Sequence, residues 1–164
     1  MKEILKQLSS YNLWATQRVM DVILLLPEEK HVMELTSSFP SFYKTVLHMW
    51  DAESIWWQRL KLQEVITAPS MNFKGNAKDV GAALMHQDRL WENWVASANE
   101  SALTHVFFYR NSKKEQFKQP VFQVLLHLFN HATYHRGQLV HAMRQIGMEK
   151  IPATDFIVWS RTKK

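Results

Sequence analysis

Residues 125–138 read Leu125-Leu-His-Leu-Phe-Asn-His-Ala-Thr-Tyr-His-Arg-Gly-Gln138. They sit inside a longer segment, Pro120 to Ile146, in which Val121, Leu125, Leu128, Ala132, Leu139, Met143 and Ile146 recur at helical spacing. At about 100° per residue these fall within an arc of roughly 60°. His135 projects near the edge of that arc, and His131 a little further round, beside Val124 and Ala142. Residues four apart stack on one helical face, so both imidazoles project toward the core side. A desolvated imidazole needs a partner. A divalent metal supplies one and hydrogen bonds within the core supply another; an H-x-x-x-H pair alone does not choose between them.

Composition frames that segment. A chain of 164 residues is expected to form one domain, 1–164, with a sizeable buried core. Hydrophobic residues make up 46% and charged residues 21%, an ordinary globular balance. Four Gly and five Pro leave little room for a turn-rich β architecture. Cysteine is absent, which excludes disulfides, thiolate ligands and a cysteine nucleophile, so any metal is held by nitrogen and oxygen. The start, Met-Lys-Glu-Ile-Leu-Lys, lacks the apolar run of a signal peptide, and no stretch approaches membrane-spanning length. A cytoplasmic protein with no membrane association is expected. The net charge of +5 raises nucleic acid as a partner. The basic residues are scattered, however, with clusters only at Lys113-Lys114 and Arg161-Thr-Lys-Lys, so no nucleic-acid partner is expected.

The periodicity predicts four long helices. The first covers residues 2–26, with Ile4, Leu8, Tyr11, Ala15, Val19 and Val22 on one stripe and Pro27 as its stop. A connection leads to Ser38 or Ser41 as a cap, and a second helix runs from about Ser41 to Leu62. After a loop containing Pro69 and Gly75, Asn76 or Asp79 caps a third helix, whose Val80, Leu84, Gln87, Trp91, Trp94 and Ala98 form a bundle seam. Leu103-Thr-His-Val-Phe-Phe-Tyr is rich in β-branched and aromatic residues. With the turn Asn111-Ser-Lys-Lys it predicts a short β-hairpin or extended excursion. Pro120 fits the first turn of the fourth helix and Gly147 its C′ position. The apolar tail Ile151 to Ser160 is expected to pack on the bundle as a helical turn capped by Thr154. The fold class is therefore all-α, a four-helix bundle with the hairpin before its last long helix.

In such a bundle, cofactor sites form from side chains on facing helices. His131 and His135 with one histidine from another helix would make a three-nitrogen site with a free coordination position. His48 lies at the centre of the apolar second helix. His31 and His105 fall in connections, His86 is off its helix's seam, and His127 and His141 point away from the core arc. His127 is ranked as a neighbour of the site or a surface residue. Asp51, one turn from His48, is expected to accept an imidazole N–H, and Tyr134 and Gln138 are candidate substrate contacts.

Tyr11-Asn-Leu-Trp-Ala, His48-Met-Trp-Asp-Ala-Glu with Trp57-Gln-Arg, Asn130-His-Ala-Thr-Tyr-His-Arg-Gly-Gln and Pro152-Ala-Thr-Asp-Phe together resemble the DinB (damage-inducible) and YfiT-like family of metal-dependent helical proteins. The resemblance covers most of the chain. It implies a four-helix bundle with one long crossover, a homodimer, and a metal triad of His48, His131 and His135. It further implies one divalent transition metal per chain, zinc or nickel ahead of iron or manganese. Characterised relatives are thiol-dependent transferases, which move bacillithiol, mycothiol or glutathione onto electrophiles, and a thiol-dependent isomerase. The expectation is a low-molecular-weight-thiol S-transferase, with a small-molecule thiol and an electrophile as partners. The alternatives are a non-enzymatic, stress-related metal-binding dimer and a metal-dependent hydrolase.

Overall fold

The computed structural model describes residues 1–111 and 113–162. Four long helices dominate: α1 (Lys2–Ile23), α3 (Phe42–Leu60), α4 (Ala77–Ser97) and α6 (Val121–Gln145). Between them lie two short helices, α2 (Glu28–Val32) and α5 (Glu100–Thr104), and a hairpin of β1 (Val106–Arg110) and β2 (Gln116–Pro120). A last short helix, α7 (Phe156–Arg161), follows. The strands pair antiparallel, Val106 opposite Pro120 and Arg110 opposite Gln116. Of the expected turn Asn111-Ser-Lys-Lys, Ser112 lies outside the described residues, as do Lys163 and Lys164 of the basic terminus.

Side chains cap the starts of α3 and α4. Ser41 caps α3 by accepting from the Lys44 N–H at 3.1 Å. Asn76 caps α4 in a reciprocal capping box with Asp79. Pro120 ends β2 and stands just outside α6, one residue earlier than the sequence suggests. Helix α1 stops at Ile23 rather than running to Leu26. The short α2 that follows buries His31, whose Nε2 lies 2.9 Å from the Ile23 carbonyl at the end of α1. At the other end of α1, Ile4 is exposed and Leu5 takes the core position expected of it.

Helices α1 and α3 lie diagonally across the bundle, and each packs mainly on α4 and α6. Cross-helix contacts fix the directions. Asn12 meets Asp88 and Ser10 meets Glu92, so α1 and α4 run antiparallel. Glu53 lies beside Asp88 and Trp57 beside Trp91, so α3 and α4 run parallel. A parallel pair demands a connection that returns the length of the bundle, about 28 Å for a helix like α3. Residues 61–76, with a 3-10 turn at Pro69–Asn72, make that crossover. The tail packs as expected: Tyr11 Oη donates to the Thr154 carbonyl at 2.7 Å, and Arg18 Nε to that of Ala153 at 3.0 Å. Helix α7 starts after Asp155, not Thr154, without a side-chain cap.

The apolar core is in two parts. One gathers Met20, Phe42, Met49, Leu84, Leu139 and Met143, the other Leu5, Trp91, Val95, Leu103, Leu125 and Leu128. Between them lies a buried polar layer to which all four long helices contribute: Asn12 and Thr16, Glu53, Asp88 and Arg136. Arg136 donates to Asn12 Oδ1, Thr16 and Thr133, while the Asn12 amide donates to Asp88 at 2.7 Å and Glu53 at 3.4 Å. One guanidinium thus serves two carboxyl groups, through an asparagine. Glu53 Oε2 and Asp88 Oδ2 have no donor from the protein, as befits two carboxyl groups that share a proton. Burial, and then the charge of Asp88, hold Glu53 well above the usual glutamate range.

This layer has a pH signature. The folded chain keeps a proton on Glu53 that the unfolded chain releases above about pH 4.3, so that contribution to stability is full below this value. It is lost as pH rises toward the raised folded value. Glu53→Gln carries no such term. Urea denaturation midpoints should show the variant gaining on the parent as pH increases from about 4.5, by at most about 1.4 kcal/mol per pH unit. A pH-independent difference would show that Glu53 is not protonated in the fold.

Candidate metal centre

Helix α3 presents His48, and α6 presents His131 and His135, to one shared space. The Nε2 atoms of His48 and His131 are 3.1 Å apart, and those of His131 and His135 are 3.0 Å apart. One nitrogen from each ring lies within 4.8 Å of the others. A tetrahedral ion with nitrogen at about 2.0–2.1 Å sets its ligands about 3.3 Å apart, close to the separations of His131 from His48 and from His135. The partners of His135 define its tautomer. Its Nδ1–H donates to Gln138 Oε1 at 2.7 Å, which leaves Nε2 as a lone pair aimed at the other two rings. Three ring nitrogens converge with no oxygen acceptor among them. A cation satisfies that arrangement better than imidazole pairing does, and the three-histidine group could hold a metal ion.

Charge state favours the same use. Burial and the neighbouring His135, His48 and His127 push His131 down to about 4. His48 is lowered by burial and then by His135, with Asp51 opposing. His135 is lowered by burial, with the Gln138 hydrogen bond opposing. All three rings are neutral at pH 7, the form that binds metal. His135 is buried, whereas His48 and His131 are half-buried, so the centre lies at the edge of the bundle and opens outward.

The surroundings redistribute the roles expected of nearby residues. Gln138, a candidate substrate contact, instead orients His135, and its amide donates to Ser38 Oγ at 3.1 Å and Tyr134 Oη at 3.2 Å. The Tyr134 ring stands edge-on to His135 at 5.0 Å and is largely exposed. Asp51 does not accept from an imidazole. Its oxygens accept from the Ser70 amide at 2.9 Å and hydroxyl at 2.6 Å, which fastens the 3-10 turn of the crossover to α3. The His127 ring lies 5.8 Å from His131 and 5.6 Å from Trp56. It extends the row of histidines but offers no nitrogen to the centre. His86, His105 and His141 are exposed elsewhere. The residue that the sequence reading missed is Phe39. Its ring stacks on His48 at 4.0 Å with 20° between planes, and its face meets His135 at 5.7 Å. It lies in an irregular connection, where no periodicity could have marked it.

Purified protein should bind one divalent ion per chain, and His131→Ala and His135→Ala should abolish stoichiometric binding in titration calorimetry. Gln138→Ala frees the His135 ring to rotate and should weaken binding by about 10–100-fold. The lowered imidazole values set the pH response: affinity should be flat through pH 7 and fall as acid approaches the depressed values, near 4 for His131. A decline centred at or above pH 6.5 would show that these nitrogens are not the ligands.

Comparison with known proteins agrees with this architecture. A solved DinB-like protein from Bacillus cereus ATCC 10987 superposes with a TM-score of 0.67 at 20% identity, covering 88% of this chain and 91% of that one. Protein DinB of Bacillus subtilis (strain 168) is 26% identical over 161 residues, 95% of this chain and 93% of the relative. No helix is long and apolar enough to cross a membrane among the described residues. The DinB family pattern matches residues 1–163, and the chain belongs to the DinB family.

Proposed function

We propose that this protein is a divalent-metal-dependent enzyme that transfers a low-molecular-weight thiol onto an electrophile. The observation that carries the reading is a three-nitrogen cluster at the rim of the bundle, joined by no fourth histidine or carboxylate among the described residues. Such a centre keeps positions for exogenous ligands. The nitrogen-only donor set suits zinc or nickel. When bound, the ion supplies affinity for sulfur and lowers the pKa of the thiol, so that a nucleophilic thiolate exists near neutral pH.

The chain's own residues do the rest. His48, His131 and His135 hold the centre, Gln138 keeps His135 in the tautomer with a free Nε2, and Phe39 covers one face of His48 against water. The nucleophile arrives with the cosubstrate, in keeping with a chain that has no cysteine. A sulfur–carbon bond forms as the bond from carbon to the leaving group breaks, and the thiol proton passes to solvent. A hydrolase would call for a carboxylate placed as general base at the ion. The carboxylate nearest in sequence to His48, Asp51, is engaged by Ser70, which favours the transferase reading.

Conjugation of a fluorogenic electrophile such as monobromobimane, measured above its spontaneous rate, should require both added zinc or nickel and an added thiol. It should fall by at least about a hundredfold in His48→Ala, the order of loss when a thiol returns to its ordinary pKa. Turnover of esters or amides by the metal-loaded protein without thiol would overturn the transferase reading in favour of a hydrolase. Absence of both activities across broad panels would point to a binding role.

A further inference from the structure

We propose that Arg59 is a binding residue for the carboxylate of an elongated anionic thiol whose sulfur sits at the three-histidine centre. This deepens the transferase reading and rests on it. Eleven residues separate His48 from Arg59 on α3, a rise of about 16 Å with the two side chains only about 20° apart around the axis. Helical side chains lean toward the N-terminus, and Arg59 lies back over Trp56. Its guanidinium carbon is 4.5 Å from the Trp56 ring and 5.3 Å from that of Tyr109 on the hairpin. The cation therefore stands on the order of 10 Å from the centre.

The intervening surface is continuous. His127 on α6 contacts His131 on one side and Trp56 on the other, and Trp56 carries the guanidinium. These contacts step along α3 as it rises and along α6 as it descends, so a row of touching side chains leads from the centre to Arg59. At the far end the guanidinium lines a cavity of about 320 Å³ together with Tyr109, Phe108, Ile66, Arg110 and Gln116. Glu64 is on its rim and makes no ion pair with Arg59.

What distinguishes Arg59 is that its donors are unspent. It is half-buried, and burial works against its charge. No carboxylate pairs with it, no hydrogen bond joins it to the protein among the described residues, and its Nε–H is buried without an acceptor. Contact with two aromatic rings accounts for its placement but gives its N–H groups no acceptor. Native structures seldom leave buried donors so. The planar guanidinium presents the fork that takes a carboxylate in two parallel bonds. The chemistry of the ligand follows: sulfur at one end, a carboxylate about 10 Å away, and an apolar or amide stem to lie over His127 and Trp56.

The test uses cobalt-loaded full-length protein, with the visible cobalt d–d bands as readout for every ligand and the sulfur-to-cobalt charge-transfer band as a further readout for the thiols. ω-Mercaptooctanoate, ω-mercaptopropionate and their methyl esters are titrated into the parent, Arg59→Gln and Arg59→Lys. ω-Carboxyalkyl hydroxamates of matched length, which reach the metal through oxygen, are titrated in parallel. In the parent the long acid should bind about tenfold more tightly than its ester, as expected for a charge-assisted pair at a half-exposed site, and the short acid should show no such preference. The acid-to-ester ratio should fall toward one in Arg59→Gln and be intermediate in Arg59→Lys. A ratio near one for the long acid in the parent, or one that survives in Arg59→Gln, overturns the proposal. If only the hydroxamates bind and show the Arg59-dependent ratio, the thiol reading fails while Arg59 stands as the carboxylate site. If neither series binds, both fail.

Discussion

The hydrogen bond from Arg136 to Asn12 is the constraint on which the arrangement of this bundle depends. Arg136 is 2% exposed, and a guanidinium out of water costs several kcal/mol unless its donors and charge are met. They are met only when four helices agree. Helix α1 supplies Asn12 and Thr16, α3 supplies Glu53, α4 supplies Asp88, and α6 places Arg136 among them, over the Tyr11 ring. Two apolar clusters would tolerate a helix sliding by a turn or rotating by part of one. A polar layer between them does not, because each misplacement leaves a buried charge unpaired. Its contribution is to fix one register as much as to add stability, a role attested for buried polar groups in other bundles.

The same constraint positions the candidate metal centre. His135 directly precedes Arg136, so the two side chains leave α6 about 100° apart. With Arg136 held inward, His135 and His131 are turned toward α3 and the rim, where His48 waits at matching height. The Nε2 atoms of His48 and His135 each come within 3.1 Å of that of His131 because the layer sets both helices, not because the rings attract. Gln138 and Phe39 then refine the site by fixing one tautomer and covering one face. The crossover is tied down in turn by Asp51 and Ser70, which keeps the long connection from wandering off α3.

Much of this was legible in residue spacing. The i, i+4 histidines, the apolar seam around His48, Ser41 and Asn76 as caps, and a β-rich interruption before the last long helix all follow from local rules. What escaped is what depends on tertiary partners. Ile4 and Leu5 are both apolar, and only the rotation of α1 against the rest selects Leu5. The role of Asp51 is decided by Ser70, in a loop with no periodic signal. Gln138 was readable in principle, since three residues after His135 is a facing position on a helix, yet the same position also suits a substrate contact. The polar layer was least visible. Asn12, Glu53, Asp88 and Arg136 each stand alone in their helices, and nothing in one helix says that the other three hold its complement.

Arg136 and Arg59 both rest on aromatic faces, and the contrast between them carries functional meaning. Arg136 lies over Tyr11 and spends its donors on Asn12, Thr16 and Thr133. Arg59 lies against Trp56 and Tyr109 and spends none on the protein. Folding needs the first pairing, because without it a charge is stranded in the core. Folding does not need the second, because Arg59 borders a cavity from which water can solvate its outer face. A guanidinium set against two aromatic rings, partly desolvated and given no protein acceptor, is poorly explained by stability. It is well explained by a ligand that brings its own acceptor and is held at its other end by the histidines.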